Sequence, residues 1–312
     1  MKRFTNILVP GLLFALLVVS PFLSSAANAQ TKLRWKFKVG EKLNYTMVQK
    51  MNMSMMVQGQ NIEMKMTQTM DMVWKAKSTS KDGTTELAQT FTRIRFTLAG
   101  GPIGKVDYDS NTPNAGGGNP LLAGLGKTFG ALVNQEFTMK MSALGEIKDI
   151  KLPKKFLDTL GNAGGAGRVP GMLNADTLKE MVGKAGIVFP ATGVVKGKTW
   201  NSNMTVKNPF GDIKIATAYQ HLGLENRNGQ SFAKIKVTPK MTLTAKPNAP
   251  FKIKLAKQEG SGTVLFDVKA GRVQSSSMKQ KMVMEINAGG QNISQTIDQT
   301  VEMKLGKSSG TK

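Results

Sequence analysis

The chain has 312 residues, no cysteine, and a net charge of +23 from 43 basic and 20 acidic residues. Without cysteine it cannot form a disulfide scaffold, a thiolate metal site or a cysteine nucleophile. The positive charge favours anionic partners such as lipid headgroups or an acidic envelope polymer. The lysines alternate along predicted strands, as at Lys252 and Lys254, and no arginine cluster is interleaved with aromatic residues. We therefore expect no nucleic-acid partner.

Residues 1–29 have the pattern of a bacterial signal peptide. Two cations precede an apolar run over residues 7–19, and Ala27-Asn28-Ala29 supplies the small-residue cleavage pattern. The run is too short to span a bilayer, and no later segment is long enough, so the sequence predicts no transmembrane segment. We expect export to the periplasm or the cell exterior, with a mature chain from Gln30.

Residues 43–76 predict a long β-hairpin around the polar tip Gln58-Gly59-Gln60-Asn61. The odd positions of the first arm and the even positions of the second are mostly methionine and other apolar residues. Polar residues occupy the alternate positions. Because successive strand side chains point to opposite faces, each arm has one apolar face and one polar face.

A third strand is predicted over residues 84–98, with its apolar phase slipping between Phe91 and Ile94. A β-bulge would explain that slip. Residues 99–120 are rich in glycine, proline, asparagine and aspartate, and this composition predicts a loop.

Three short helices are predicted in the middle of the chain, over residues 121–133, 153–160 and 174–185. The third has the best pattern, with Asn174 or Asp176 able to cap its start and Gly186 ending it. Residues 161–171 are rich in glycine and predict a connector, because no Gly-Lys-Ser/Thr motif follows as in a phosphate-binding loop.

The end of the chain repeats the first hairpin. Residues 278–303 match residues 47–72 without a gap, with twelve identities over 26 positions. The tip Gly59-Gln60-Asn61-Ile62 falls on Gly290-Gln291-Asn292-Ile293, and the apolar faces stay in phase. We predict that the two hairpins are related and lie next to each other in one sheet.

These elements predict a mainly β fold with a few short α-helices in the middle of the chain. The antiparallel sheet would be built from two related parts, and a curved half-barrel or open barrel is the candidate shape. Residues 30–312 would form a single secreted β-rich domain. It would comprise a first β part (32–150), a helical and glycine-rich middle (120–186), a second β part (194–306) and a disordered tail (307–312).

Several short motifs are similar to a known family. They are Val39-Gly40-Glu41-Lys42, Tyr108-Asp109-Ser110, Pro190 before Gly197-Lys198-Thr199-Trp200, and Gly260-Ser261-Gly262 with Asp267 and Gly271. With the secretory leader, they resemble an uncharacterised family of secreted bacterial proteins, a domain of unknown function. The resemblance covers nearly all of the mature chain and implies no catalytic residue or ligand.

The sequence offers little for catalysis. His221 is the only histidine, no Gly-x-Ser-x-Gly motif occurs, and a lone histidine before a turn predicts a solvated side chain. Asp107 and Asp109 share a loop but lack calcium-loop spacing, so they predict loop capping. We predict a protein that is not an enzyme and carries no cofactor.

The predicted inner faces of the two hairpins combine methionine with glutamine. The candidate ligand-binding residues are Gln49, Met51, Met53, Met55, Met64, Met66, Gln68, Gln280, Met282, Met284, Gln295 and Gln299. Methionine is flexible and polarisable, and amides on a dry face need polar partners. The pattern favours a binding protein for a hydrophobic or amphiphilic, lipid-like ligand, although a closed core has the same composition.

Two other functions fit parts of the sequence. Thioethers are soft ligands, so Met51, Met53, Met64 and Met66 could bind Cu(I). Alternatively, the basic surface could hold an anionic polymer in a structural protein of the cell envelope. Neither the ligand nor the oligomeric state follows from the sequence.

Overall fold

The computed structural model describes residues 30–112, 126–162, 175–208, 211–246, 249, 252–288 and 290–306. The predicted signal peptide, the predicted tail, and much of the predicted glycine-rich connector lie outside these residues. No helix within the described ranges combines the length and apolar character needed to cross a membrane.

One large antiparallel sheet dominates the described residues. Its strands are β1 (Lys42–Val57), β2 (Gln60–Thr79), β3 (Thr85–Gly100), β4 (Lys105–Asp109), β5 (Glu136–Met141), β6 (Ile147–Lys151), β7 (Thr199–Asn208), β8 (Gly211–Arg227), β9 (Gln230–Ala245), β10 (Lys252–Asp267), β11 (Arg272–Ala288) and β12 (Gln291–Leu305). The spatial order is β6-β5-β3-β2-β1-β12-β11-β10-β9-β8-β7, with β4 paired to β3. The sheet is not closed, and the predicted mainly β fold is confirmed.

The first and last strands pair at the centre of the sheet. β1 pairs with β12 from Tyr45 opposite Leu305 to Val57 opposite Ile293. The two repeated hairpins, β1-β2 and β11-β12, are therefore neighbours, as predicted. Each has a shorter tip than predicted, because Val57 pairs with Gln60 and Ala288 pairs with Gln291.

The predicted bulge in β3 is confirmed. Asp71 pairs with Arg93, whereas the next residue, Met72, pairs with Phe91, so Thr92 is the extra residue. The prediction of a loop over residues 99–120 is wrong in part, because β4 lies within it. Its alternation of buried Val106 with outward Asp107 is too short to be recognised among turn-forming residues.

The helices are short. A 3-10 turn covers Gly101–Ile103, residues 126–130 are helical, α1 spans Lys154–Asn162 and α2 spans Ala175–Ala185. The second and third predicted helices are thus confirmed, apart from their ends. Of the first predicted helix, residues 121–125 lie outside the described ranges, residues 131–132 form a turn and Val133 makes an isolated bridge to Phe91.

The sheet curves so that its two halves share one hydrophobic core. Leu87 and Met139 from the first half join Ile235 and Phe266 from the second in a single buried cluster. We call the side of the sheet that carries this core the inner face, and the opposite side the outer face. The curvature also brings both edge strands, β6 and β7, into contact with α2, so this helix bridges the opening between them.

Residues 31–38 cross one end of the curved sheet, which we call the floor. The Trp35 amide donates a hydrogen bond to the Ala143 carbonyl (2.9 Å), and the Lys36 amide donates to the Gly271 carbonyl (2.9 Å). The segment thereby ties the β5-β6 turn to the β10-β11 turn. The opposite end, where the turn at 58–59, the 3-10 turn at Gly101–Ile103 and residue 290 lie, is the rim.

Candidate functional site

All twelve predicted ligand-binding residues lie on the inner face, between the floor core and the rim. In β1 and β2 the opposed pairs are Gln49 with Gln68, Met51 with Met66, and Met53 with Met64. Across the centre, Met51 faces Gln299 and Met55 faces Gln295. In the last hairpin, Gln280 faces Gln299 and Met284 faces Gln295. The structure therefore gathers them on one continuous surface; their role in binding stays a prediction.

This surface is neither core nor fully solvent-exposed. Each of the twelve side chains is half-buried, whereas their outward neighbours Lys50, Asn52 and Lys281 are exposed. Many of the buried residues lie toward the floor, around Tyr45 and Phe266, but Phe96, Val106 and Tyr108 form a second buried cluster on β3 and β4, and Ile297 is buried among the methionines. Near the rim, the 3-10 turn at Gly101–Ile103 lies beside the Met64 side chain.

The inner apolar surface extends beyond the two repeated hairpins. Leu255 of β10 adjoins it opposite Met284, and a second apolar group lies beyond the point where β9 and β10 stop pairing, at Met204 and Val206 of β7, Ile213 and Ile215 of β8, and Met241 and Leu243 of β9. Sequence reasoning missed these residues as site residues. Their alternation was visible, but the register that places them on the inner face depends on pairing between distant strands.

The inner-face glutamines form a hydrogen-bonded row across three strands. The Gln49 Nε2 donates to Gln299 Oε1 (3.3 Å), and the Gln299 Nε2 donates to Gln280 Oε1 (2.9 Å). The row ends in a weaker contact, from Gln280 Nε2 to the Met282 Sδ (3.4 Å). Gln295 makes a similar contact through its Nε2 to the Met53 Sδ (2.9 Å). Thioether sulfur is a weak acceptor, so two amide donors lack a strong partner in these contacts.

On the rim side of the sheet, β9 and β10 are no longer paired with each other. Their pairing runs from Asp267 opposite Phe232 only as far as Gly262 opposite Val237. Beyond it, the Gln258 side chain accepts from the Met241 amide (3.1 Å) and donates to the Pro239 carbonyl (3.1 Å). Proline has no amide hydrogen, so a regular ladder cannot continue through Pro239 on both sides.

The outer face carries the charged groups. Arg93 binds both carboxylate oxygens of Asp109, with Nε to Oδ1 at 3.0 Å. The hydrogen bond from Arg93 holds the pKa of Asp109 at about 2, despite an opposing effect of desolvation. Asp107 accepts from Thr97 (2.7 Å) and pairs with Lys105 (2.9 Å). Both carboxylates are thus engaged by side chains of β3 and β4, not only by the loop backbone.

His221 contradicts its sequence prediction. It lies within β8 next to a bulge, is only 2% exposed, and has no hydrogen-bond partner at either ring nitrogen. The strand continues past His221 to Arg227, so the expected turn is absent and the ring faces inward opposite Ile235. Tyr219, two residues earlier, is also buried. No catalytic partner for the ring is present among the described residues.

The candidate Cu(I) residues form a compact block. Met51 opposes Met66 and, two residues along, Met53 opposes Met64. Opposed strand residues have Cβ atoms about 5 Å apart, so the four thioethers share one neighbourhood. Within the described ranges, no three histidine, aspartate or glutamate side chains cluster as metal ligands.

The strongest sequence similarity is to a family profile. The profile of a family of unknown function, DUF6263, matches residues 82–301. The chain belongs to this family. The resemblance to an uncharacterised family is thereby confirmed, and the match includes β11 and most of β12 but neither β1 nor β2. No curated protein matches the sequence of this DUF6263 protein.

Solved structures show only distant likeness. A lipovitellin structure described by its lipid-protein interactions is 12% identical with a TM-score of 0.47; the match covers 87% of this DUF6263 chain but only 25% of the lipovitellin chain. An outer membrane channel from Pseudomonas putida F1 is 6% identical, with coverage of 87% and 97% and a TM-score of 0.26. DynF of Micromonospora chersina is 8% identical, with coverage of 91% and 90% and a TM-score of 0.23. At these scores the likeness carries no functional argument.

Proposed function

We propose that this DUF6263 protein is a non-enzymatic, exported binding protein that holds a hydrophobic or amphiphilic, lipid-like ligand on its inner face. The observation that supports the proposal most is the half-buried apolar surface that continues from β2 through β1, β12 and β11 to β10. A large apolar surface that is only half-buried is costly in water, and such a surface commonly marks a binding site.

The residue types on this surface suit a ligand of irregular shape. Valine and isoleucine have higher strand propensity than methionine, yet Met51, Met53 and Met64 occupy adjoining positions. Their unbranched side chains can adjust to different guests at low cost. The glutamine row adds polar groups within the apolar surface, which a purely hydrocarbon ligand would not require.

Native mass spectrometry of the mature protein, purified gently from its own cells, tests the proposal. We expect a lipid-sized adduct that organic solvent releases. Met282→Asn should lower its occupancy about tenfold, because a polar amide would replace an apolar contact. The matched control is Val283→Asn, one residue along β11 on the outer face. A bare mass in the wild type, or equal loss in both variants, would contradict the proposal.

Cu(I) binding is the second candidate, supported by the block of four methionines. Replacing Met51, Met53, Met64 and Met66 together by leucine separates the two functions. A lipid-like ligand should still bind, because leucine keeps the surface apolar. A thioether copper site would lose its metal, so copper-sized mass increments present in the wild type and absent from this variant would favour metal binding.

A further inference from the structure

The two weakly satisfied amide donors of the inner face converge on one patch. Gln280 Nε2 points to the Met282 sulfur, and Gln295 Nε2 points to the Met53 sulfur. Met282 and Met53 are the residues on either side of Ile297 in the sheet. The donors thus approach the Ile297 position from the floor side and from the rim side.

These donors are available for a ligand. The Gln280 oxygen already accepts from Gln299, and the Gln299 oxygen accepts from Gln49, so the row has a direction that ends in the Gln280 amino group. A carbonyl oxygen is a much stronger acceptor than a thioether. A ligand carbonyl over Ile297 could therefore replace the sulfur contacts without disturbing the glutamine row.

The charges of the surrounding strands indicate that this acceptor is neutral. In the described parts of β1, β2, β11 and β12 that flank the patch, Lys50, Lys65, Lys281 and Asp298 lie on the outer face. No inner-face position of these strands between the core and the rim carries a charged side chain. An ionised carboxylate would lose its hydration here without gaining a cation, which is unfavourable.

We infer that the inner face binds the neutral ester of a long-chain fatty acid, whose carbonyl oxygen accepts hydrogen bonds from the Gln280 and Gln295 side chains over Ile297. The inference rests on the proposed function and specifies its ligand class. The acyl chain would lie along the methionines and Leu255 of β10. The ester group would lie over Ile297, between the floor and the rim, and not at the rim itself.

Competitive loading tests this inference. Delipidated protein is incubated with equal amounts of methyl palmitate and octadecane, which have the same chain length, and bound molecules are extracted and quantified by gas chromatography. We expect the ester-to-alkane ratio to fall about fivefold for each hydrogen bond removed in Gln280→Leu and Gln295→Leu, with total loading preserved. Gln220→Leu, on the outer face of β8, is the matched control and should keep the wild-type ratio. Gln280→Met and Gln295→Met replace any leucine variant that does not fold.

The remaining outcomes separate this inference from the proposed function. If the ester-to-alkane ratio is the same in the wild type and in a variant that combines Gln280→Leu with Gln295→Leu, while both ligands load, the ester assignment is wrong. The protein would then still have a hydrophobic binding site. If palmitate at pH 8 loads better than its methyl ester, the acceptor is anionic and the assignment is again wrong. If neither ligand loads, the proposed function fails as well.

Discussion

At the scale of single residues, the most informative side chain is His221. It is buried, and neither ring nitrogen has a hydrogen-bond partner. A buried polar group without a partner keeps its desolvation cost, so an apolar replacement of similar size can stabilise the protein. We expect His221→Leu to raise the free energy of unfolding by about 1 kcal/mol, measured by urea denaturation. A loss of stability of similar size would instead mean that a bound water or ligand satisfies the ring.

Asp109 gives a second prediction at this scale. Its folded pKa of about 2 lies below the ordinary value of 3.8, so its charged form favours the folded state. That contribution is present above pH 4 and is lost as the pH falls through 2. Asp109→Asn should therefore reduce stability by about 1 kcal/mol at pH 7, a small effect because the ion pair is partly exposed.

The measurement is chemical denaturation of wild type and Asp109→Asn at several pH values. The difference between them should shrink as the pH falls from 4 through 2 and vanish only below pH 2. Asp298→Asn, a change at an exposed outer-face position of β12, serves as the control. A difference that stays constant with pH would show that the Asp109 charge is not responsible.

At the scale of secondary-structure elements, the separation of β9 from β10 is the least regular feature of the sheet. Gln258 provides the hydrogen bonds that a neighbouring strand would otherwise make with Pro239 and Met241. Gln258→Leu would leave a backbone carbonyl and an amide without these partners. We expect a loss of about 1 to 3 kcal/mol in unfolding free energy.

Hydrogen exchange locates the effect. In Gln258→Leu, amide protection should fall first in residues 239–245, while the floor pairs between Phe232 and Asp267 remain protected. Gln220→Leu removes the same amide from a strand that is paired on both sides at that position, and should leave exchange unchanged. Equal protection in wild type and Gln258→Leu would mean that water replaces the side chain without cost.

The alternation of apolar residues and the turn-forming residues between them are the basis of most of the strands and helices predicted from the sequence. The alternation of apolar residues correctly predicted which side chains of β1, β2, β11 and β12 lie on the inner face. The phase slip between Phe91 and Ile94 located the bulge at Thr92. The inner-face site was predicted only where the two hairpins repeat. The position of the second apolar group, which includes Met204, Ile215 and Met241, depends on strand order, which no local pattern contains. The burial of His221 was missed for the same reason, since a strand that continues through Gly223 resembles a turn in sequence.

At the scale of the whole molecule, Trp35 joins the two halves of the sheet. Its ring stacks on Phe37 with centroids 6.1 Å apart and meets the edge of Phe266 at 5.5 Å. Its Nε1 donates to the Ile187 carbonyl (3.2 Å) on the chain segment that leads into β7. Its centroid also lies 6.4 Å from that of Trp74 in β2, so this single side chain contacts the floor segment, both halves of the sheet and the crossing between the edges.

Trp35→Ala should lower the unfolding free energy by about 3 to 5 kcal/mol, because a large buried ring would be replaced by a cavity. Near-ultraviolet circular dichroism and thermal denaturation would measure the loss of packing and of stability together. Trp35→Phe is the control that keeps most of the ring and should lose much less. Similar stability of all three proteins would contradict the role of Trp35 in joining the halves.

The central pairing of β1 with β12 also determines the order of folding. Gln49 and Gln299, which touch across these strands, are 250 positions apart in the chain. Until β12 has been synthesised, β1 and β11 each present a long unpaired edge that other chains can pair with. Contacts between such distant residues also slow folding. The newly made chain would therefore remain prone to aggregation until its last strand is complete, and a factor that shields β1 during that interval would raise the yield of folded protein.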